Sequence, residues 1–194
     1  MYIHGYGSNG NATKGQLLRR MLPECRVVSP TFDYVHCTPW QIQSLISDTV
    51  KNEDVKMIVG SSFGGYHSLC ATAFFRGVVW VINPVNDVET TIRRIIINSQ
   101  DPRASQFDID LLDVYKDFNN KIFDSQVRLN QSGRWPNGTP LNFALSTDDE
   151  LLGDHRPLLE LFPNHTKVVW KDDSGHHFLR FEELADEIKG SITC

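Results

Sequence analysis

The sequence has few cysteines, no long apolar run and no excess of basic residues. Its 194 residues include 24 acidic and 19 basic side chains, which gives a formal net charge of −5. A negative surface disfavours binding to nucleic-acid phosphates. No apolar stretch approaches the roughly 20 residues that a membrane-spanning helix needs, and the first residues do not resemble a secretory signal. These absences predict a cytoplasmic protein without a nucleic-acid partner or a membrane span.

The four cysteines are also too scattered to form a recognisable framework. They stand at Cys25, Cys37, Cys70 and Cys194, with no C-x-x-C pair among them. This spacing predicts reduced structural thiols, and we expect no metal and no cofactor. The 40% hydrophobic content is enough for the core of one domain, which we expect to comprise residues 1–194.

The clearest motif is a nucleophile elbow around Ser62. Residues 55–59 are typical of a short apolar strand, and the chain from Gly65 onward is typical of a helix. In a nucleophile elbow the serine occupies a sharp strand-to-helix turn, and flanking glycines avoid collisions between Cβ atoms and neighbouring backbone. Gly60 and Gly64 stand two residues before and two residues after Ser62. The pattern predicts a nucleophilic serine, and a glycine- and serine-rich loop is the simpler alternative.

Apolar segments typical of strands alternate with segments typical of helices along most of the chain. We expect about six strands, at residues 2–3, 26–28, 55–59, 78–82, 141–145 and 167–170. Two helices are predicted to begin at capping boxes, Thr13 with Gln16 and Thr38 with Gln41. The alternation predicts an α/β fold with a mostly parallel sheet and helices on both faces.

Residues 86–137 interrupt this alternation. They contain helical patterns at 88–97, 109–118 and 121–129, so more than fifty residues separate two consecutive strands. One crossover helix needs far fewer residues. We therefore predict a small helical cap or lid insertion within the single domain, and the alternative is a longer helical layer.

A serine nucleophile needs a base to take its proton and an acid to orient that base. His176 and His177 follow the last predicted strand on a glycine turn, which is where the base is expected. Asp148, Asp149 and Glu150 follow the preceding strand and are candidates for the acid. The resulting chain order of serine, acid and histidine is that of α/β-hydrolases.

The chain resembles the α/β-hydrolase superfamily, and in detail the small YqiA-type esterases of the UPF0227 group. The shared features are an opening strand into His-Gly, a Gly-Ser-Ser-x-Gly-Gly elbow, an Ile-Asn-Pro segment, an Asp-Glu pair and a late His-x-Phe. They lie here at residues 2–7, 60–65, 82–84, 149–150 and 176–178. The resemblance covers nearly the whole chain and is weakest between residues 85 and 138. It implies an α/β-hydrolase fold.

The same resemblance implies Ser62 as nucleophile, Asp149 as orienting acid and His176 as general base. For the oxyanion that forms during such a reaction, the backbone N–H groups of Tyr6 and Phe63 are the expected donors. The predicted function is hydrolysis of an ester or thioester with a small or medium acyl group, through an acyl-enzyme. Neither the substrate nor the oligomeric state follows from the sequence.

Two functions of other classes stay open at this point. One is a non-catalytic binding protein that keeps the hydrolase scaffold. The other is nucleotide binding, because Gly5, Gly7 and Gly10 fit the pattern G-x-G-x-x-G. That match is weak, since no acidic residue ends the next predicted strand to bind a ribose.

Overall fold

The computed structural model describes residues 1–98, 109–135 and 139–192. Within these ranges five strands form one sheet, which are β1 (Tyr2–Ile3), β2 (Met57–Ser61), β3 (Val78–Ile82), β4 (Leu141–Ser146) and β5 (Lys167–Lys171). All neighbours are parallel, and the order across the sheet is the order along the chain. The predicted parallel sheet is therefore confirmed.

Eight α-helices accompany the sheet in the described ranges. They are α1 (Thr13–Met21), α2 (Pro39–Asn52), α3 (Phe63–Ala71), α4 (Val88–Asn98), α5 (Leu111–Phe118), α6 (Asp124–Gln131), α7 (Arg156–Leu161) and α8 (Ala185–Lys189). A π-helical turn at Asn119–Phe123 joins α5 to α6, and a 3₁₀ turn at Phe181–Leu184 precedes α8. None of the described helices is long and apolar enough to cross a lipid bilayer.

Successive residues of the central strands enter two different cores. Ile58 of β2 and Phe143 of β4 belong to the larger core, which α2 and α3 cover. Val59 and Trp80 belong to the smaller core, which contains residues of α1 and of the C-terminal turn and helix. Because side chains alternate between the faces of a strand, helices cover both faces of the sheet, as predicted.

The sixth predicted strand, at residues 26–28, is not a strand. The N–H of Tyr2 donates to the carbonyl of Val28 at 2.8 Å, so this segment does run beside β1. However, β1 has only two residues, and Pro30 has no N–H to continue a ladder. The described sheet consequently has five strands instead of six.

One of the two predicted capping boxes is present. The hydroxyl of Thr38 accepts from the N–H of Gln41 at 3.2 Å, and the Gln41 side chain accepts from the N–H of Thr38 at 2.8 Å. The box at Thr13 is wrong, because α1 begins at that residue and Ala12 is the N-cap without a side-chain bond. Gln16 instead donates to the carbonyl of Asn11 at 2.7 Å.

The three helices predicted within residues 86–137 are present as α4, α5 and α6. Polar contacts join α5 and α6 to α3 and the residue that follows it: His67 contacts the Tyr115 hydroxyl at 3.2 Å, and Thr72 donates to Gln126 at 3.2 Å. Residues 99–108 and 136–137 of the predicted insertion lie outside the described residues. The cap therefore stays a prediction, as does the single domain.

The cysteines do not all match the expectation of reduced thiols. Cys37 and Cys70 are free, and Cys70 is buried. Cys25 is disulfide-bonded, so the expectation is wrong for this residue. Separation along a sequence does not exclude proximity in the folded chain, which is why spacing alone misses such a bond. Cys194 lies outside the described residues.

Candidate active site

Ser62 lies at the turn between β2 and α3 in a strained backbone conformation. Its φ of 55° and ψ of −120° are unfavourable for a residue with a side chain. The N–H of Ser62 donates to the carbonyl of Ile82 at 2.9 Å, and the carbonyl of Ser62 accepts from the N–H of Val85 at 3.1 Å. The end of β3 and the residues after it thus hold both sides of the Ser62 backbone.

The glycines around Ser62 are required by close packing. A Cβ atom on Gly60 would lie 2.1 Å from the Ser68 hydroxyl and 2.4 Å from the Gly64 carbonyl oxygen. A Cβ atom on Gly64 would lie 2.2 Å from the carbonyl oxygen of Ile3. Such distances are far below van der Waals contact, so α3 can pack this closely on β2 and β1 only with glycine at both positions.

Ser62, His176 and Asp149 contact one another in series. Nε2 of His176 lies 2.9 Å from the Ser62 hydroxyl, and Nδ1 of the same ring lies 3.0 Å from Oδ2 of Asp149. The Asp149 side chain is fully buried, and that of His176 is 9% exposed. In this arrangement the imidazole can accept a proton from the hydroxyl while the carboxylate orients the ring.

The contacts distinguish between the acidic residues that the sequence left open. Asp149 binds the His176 ring, whereas Asp148 accepts from the backbone N–H groups of Ser174 and Gly175 at 3.1 and 3.2 Å. Glu150 accepts from the backbone N–H of His176 at 2.8 Å. We call residues 147–155 the acid loop and residues 172–178 the histidine loop. The acid loop therefore contacts both the His176 ring and the backbone of the histidine loop.

His177 is exposed and takes a different position from its neighbour. Its ring centroid lies 6.0 Å from that of His176. The carbonyl of His177 accepts a hydrogen bond from the ammonium group of Lys14 in α1. Burial lowers the pKa of Lys14 to about 8. The hydrogen bond from Lys14 joins α1 to the histidine loop, one residue beyond His176.

Asp149 has partners that sequence reasoning missed. Oδ1 accepts from the backbone N–H groups of Leu151 and Leu152 at 3.0 and 2.8 Å, and Oδ2 lies 2.9 Å from Nε2 of His155. Burial alone would raise the pKa of Asp149, but the bonds from His155 and His176 outweigh it and hold the pKa well below its usual value. His155 is itself buried. His155 lies six residues after Asp149, and no sequence pattern predicts a contact at that spacing.

The two predicted oxyanion donors lie next to Ser62. A Cβ atom on Gly5 would be 3.1 Å from the Ser62 Cβ, so the loop that carries Tyr6 passes directly beside the serine. The Tyr6 ring meets the Phe63 ring edge-on at 6.2 Å. Phe63 is the first residue of α3, where backbone N–H groups lack partners within the helix. Their role as donors stays a prediction.

A buried histidine orients this first loop. Nε2 of His4 accepts from the N–H of Phe32 at 2.9 Å, and Nδ1 lies 2.8 Å from the carbonyl oxygen of Gly5. The first contact requires a ring protonated on Nδ1, which then donates to Gly5 and fixes the peptide between Gly5 and Tyr6. Gly10 packs against backbone, since its Cβ atom would lie 2.2 Å from the Ser29 carbonyl oxygen. Structural contacts thus account for two of the three glycines in the G-x-G-x-x-G pattern.

In the part of the chain that the structure describes, no group of three or more His, Cys, Asp or Glu side chains could hold a metal ion. Hydrogen bonds join the residues around Asp149. Its contacts are those expected of proton transfer at an oxygen nucleophile.

Comparisons with known proteins show the family and the fold of this chain. The family described as "Uncharacterised protein family (UPF0227)" matches residues 1–192. A search of curated proteins finds no match by sequence.

Solved structures with the same fold include Est1E, an esterase domain and an alpha/beta hydrolase domain-containing protein. Est1E from Butyrivibrio proteoclasticus is 13% identical with a TM-score of 0.66, over 98% of this chain and 86% of that chain. The esterase domain of a Rhodothermus marinus protein is 16% identical with a TM-score of 0.65, over 97% and 83%. Alpha/beta hydrolase domain-containing protein 10 from mouse is 14% identical with a TM-score of 0.60, over 97% and 87%. The predicted α/β-hydrolase fold is confirmed.

Proposed function

The chain belongs to the UPF0227 family, and we propose that it is a serine hydrolase that cleaves a carboxylic ester or thioester through an acyl-enzyme. The observation that carries this proposal is the series of contacts from the Ser62 hydroxyl to Nε2 of His176, at 2.9 Å, and from Nδ1 to Asp149, at 3.0 Å. These side chains come from the ends of β2, β4 and β5. The fold shared with esterases supports the same function.

In the first half of the reaction, Ser62 is the nucleophile and His176 is the general base. Nε2 of His176 accepts the hydroxyl proton as the serine oxygen attacks the carbonyl carbon, and Asp149 stabilises the imidazolium that forms. The imidazolium then gives the proton to the leaving alcohol or thiol. Collapse of the tetrahedral intermediate leaves the acyl group on Ser62.

In the second half, a water molecule replaces the leaving group. His176 takes a proton from the water, which attacks the acyl-enzyme, and the same ring returns a proton to Ser62 as the carboxylic acid departs. In both halves the negative oxygen is stabilised by the N–H groups of Tyr6 and Phe63. The N-terminus of α3 adds a favourable dipole, and loss of one such donor typically costs about a hundredfold in rate.

We propose further that residues 86–137 form a small cap that restricts the acyl group to short or medium length. The contact that supports this is between Arg94 of α4 and the carbonyl of Leu151, at 3.1 Å, because it brings the insertion beside the acid loop. Hydrolysis of p-nitrophenyl esters of increasing chain length tests the point. A preference for long chains would contradict it.

The cytoplasmic location stays a prediction.

Labelling with a fluorophosphonate probe tests the enzymatic proposal. We expect the unmodified protein to be labelled and to hydrolyse a short p-nitrophenyl ester, and Ser62→Ala to lose both activities. His176→Ala should lower the ester rate by about a thousandfold or more. His177→Ala is the matched control, because that side chain is exposed, and its rate should stay within about twofold.

The same experiment separates a hydrolase from a binding protein on a hydrolase scaffold. A folded protein that neither reacts with the probe nor cleaves any ester of the series would be the binding protein. Labelling that persists in Ser62→Ala would exclude Ser62 as the nucleophile.

A further inference from the structure

His155 makes a buried contact with the carboxylate that faces His176. It lies at the end of the acid loop, directly before α7, and its Nε2 is 2.9 Å from Oδ2 of Asp149. The two side chains are 4% and 0% exposed. Asp149 therefore lies between two imidazole rings, only one of which reaches Ser62.

The protons of the two rings follow from the chemistry of their partners. An ionised carboxylate only accepts hydrogen bonds, so each ring must present an N–H to Asp149. His176 presents Nδ1–H, which leaves Nε2 free to accept the proton of Ser62. His155 presents Nε2–H, and a neutral ring meets this requirement without burying another charge. The negative charge of Asp149 then remains available to the His176 imidazolium.

We propose that His155 is a positioning residue that acts on His176 through Asp149. Its N–H binds Oδ2, the same carboxylate oxygen that lies 3.0 Å from Nδ1 of His176, and withdraws part of the negative charge that would otherwise act on His176. His155 thus limits how strongly Asp149 stabilises the imidazolium. The inference rests on the proposed function, since it assigns His176 the role of general base.

Other charged and titratable groups surround this cluster. They are Asp148 and Glu150 of the acid loop, Asp154 and Arg156 beside His155, Arg94 of α4 at the Leu151 carbonyl, Lys14 at the His177 carbonyl, and His177 beside His176. Asp148 and Glu150 accept from backbone N–H groups, and Asp154 pairs with Arg156. Among the described residues, only His155 and His176 are titratable side chains hydrogen-bonded to Asp149.

The test compares His155→Phe with His155→Gln. Phe keeps a planar ring but removes the donor, whereas Gln places an N–H near the position of Nε2. With the donor removed, more of the negative charge of Asp149 acts on the His176 imidazolium and stabilises it. Because the base works only when neutral, the acid limb of kcat/KM against pH should move upward by about one unit in His155→Phe. In His155→Gln the limb should stay close to that of the unmodified protein.

The rate of fluorophosphonate labelling against pH should show the same shift, since labelling also depends on the neutral base. A folded His155→Phe protein with an unchanged acid limb would overturn the proposal. So would equal shifts in both variants, which would indicate a role in packing alone. Circular dichroism and the unfolding midpoint establish folding in each case.

A second measurement does not depend on substitution. Imidazole ¹⁵N spectra of the unmodified protein should show His155 neutral and protonated on Nε2 at pH 7. A charged His155, or one protonated only on Nδ1, would overturn the proposal even if no variant folded. Absence of labelling that depends on Ser62 contradicts the proposed function, whereas the ring states of His155 test the proposed positioning.

Discussion

The side-chain amide of Asn83 donates a hydrogen bond to the backbone carbonyl of His176 at 3.1 Å, although 93 residues separate them. The same amide group donates to the carbonyl of Gly175 at 2.9 Å, and its oxygen accepts from the N–H of Ser146 at 2.8 Å. Asn83 is buried and has a φ of 39°, which asparagine tolerates better than most residues. One side chain thus joins the ends of β3 and β4 to the histidine loop.

Substitution of Asn83 should therefore impair the base more than substrate binding. Asn83→Asp keeps the size and the acceptor for Ser146, but it replaces the donor by an oxygen that faces two carbonyl oxygens. We expect kcat for ester hydrolysis to fall by about tenfold to a hundredfold, with KM nearly unchanged, because His176 loses its alignment. Asn83→Gly, which keeps the backbone conformation and removes all three bonds, should lose at least as much. An increase in KM alone would contradict this expectation.

Gly64→Ala should be severely destabilising. Its Cβ atom would lie 2.2 Å from the carbonyl oxygen of Ile3 and 2.4 Å from that of His4, and neither backbone atom can move without displacing β1. We expect a loss of more than about 3 kcal/mol in the free energy of unfolding, measured with urea. Gly133→Ala is the matched control, because nothing lies within 4 Å of its Cβ position. There the positive φ should cost only about 1 kcal/mol.

Asp149 should make stability depend on pH in the acid range. Burial acts to raise its pKa, but the bonds from His155 and His176 prevail, so the folded pKa lies well below the ordinary 3.8. The unfolded chain then binds a proton that the folded chain does not. Stability is consequently complete above the unfolded pKa and is lost as pH falls toward the folded one.

Asp149→Asn should remove this contribution. Urea unfolding between pH 6 and pH 2 should show a smaller decline for the variant than for the unmodified protein, by at least about 1 kcal/mol at the acid end. Parallel declines in the two proteins would show that Asp149 is not the group responsible.

The capping box at Thr38 should contribute to stability, whereas Thr13 should not. Thr38→Ala removes the acceptor for the Gln41 N–H and should lower the free energy of unfolding by about 1 kcal/mol. Thr13→Ala is matched in chemistry but lies inside α1 on an exposed position, so its effect should stay within about 0.5 kcal/mol. Thermal unfolding of both variants provides the comparison. Equal decreases in the free energy of unfolding for the two variants would mean that the capping box at Thr38 does not stabilise the protein.

The sequence by itself determined the parallel α/β arrangement, the elbow at Ser62 and the helices between β3 and β4. These features leave local patterns in the sequence, such as apolar periodicity and the glycine spacing of one turn. Apolar patterning wrongly predicted a strand at residues 26–28, because this segment lies beside a strand of only two residues. At Cys25, the absence of a C-x-x-C pair did not reveal that this residue is disulfide-bonded.

Only the tertiary structure decided which carboxylate reaches the His176 ring and which residues support it. Asp148 and Asp149 are neighbours of identical chemistry. In the folded chain, Asp148 contacts the backbone of the histidine loop, whereas Asp149 contacts the His176 ring. His155 and Asn83 join the cluster because parallel strands deliver their ends, and the loops that follow, to one edge of the sheet. Contacts made there depend on the packing of distant segments, which no short pattern of residues records.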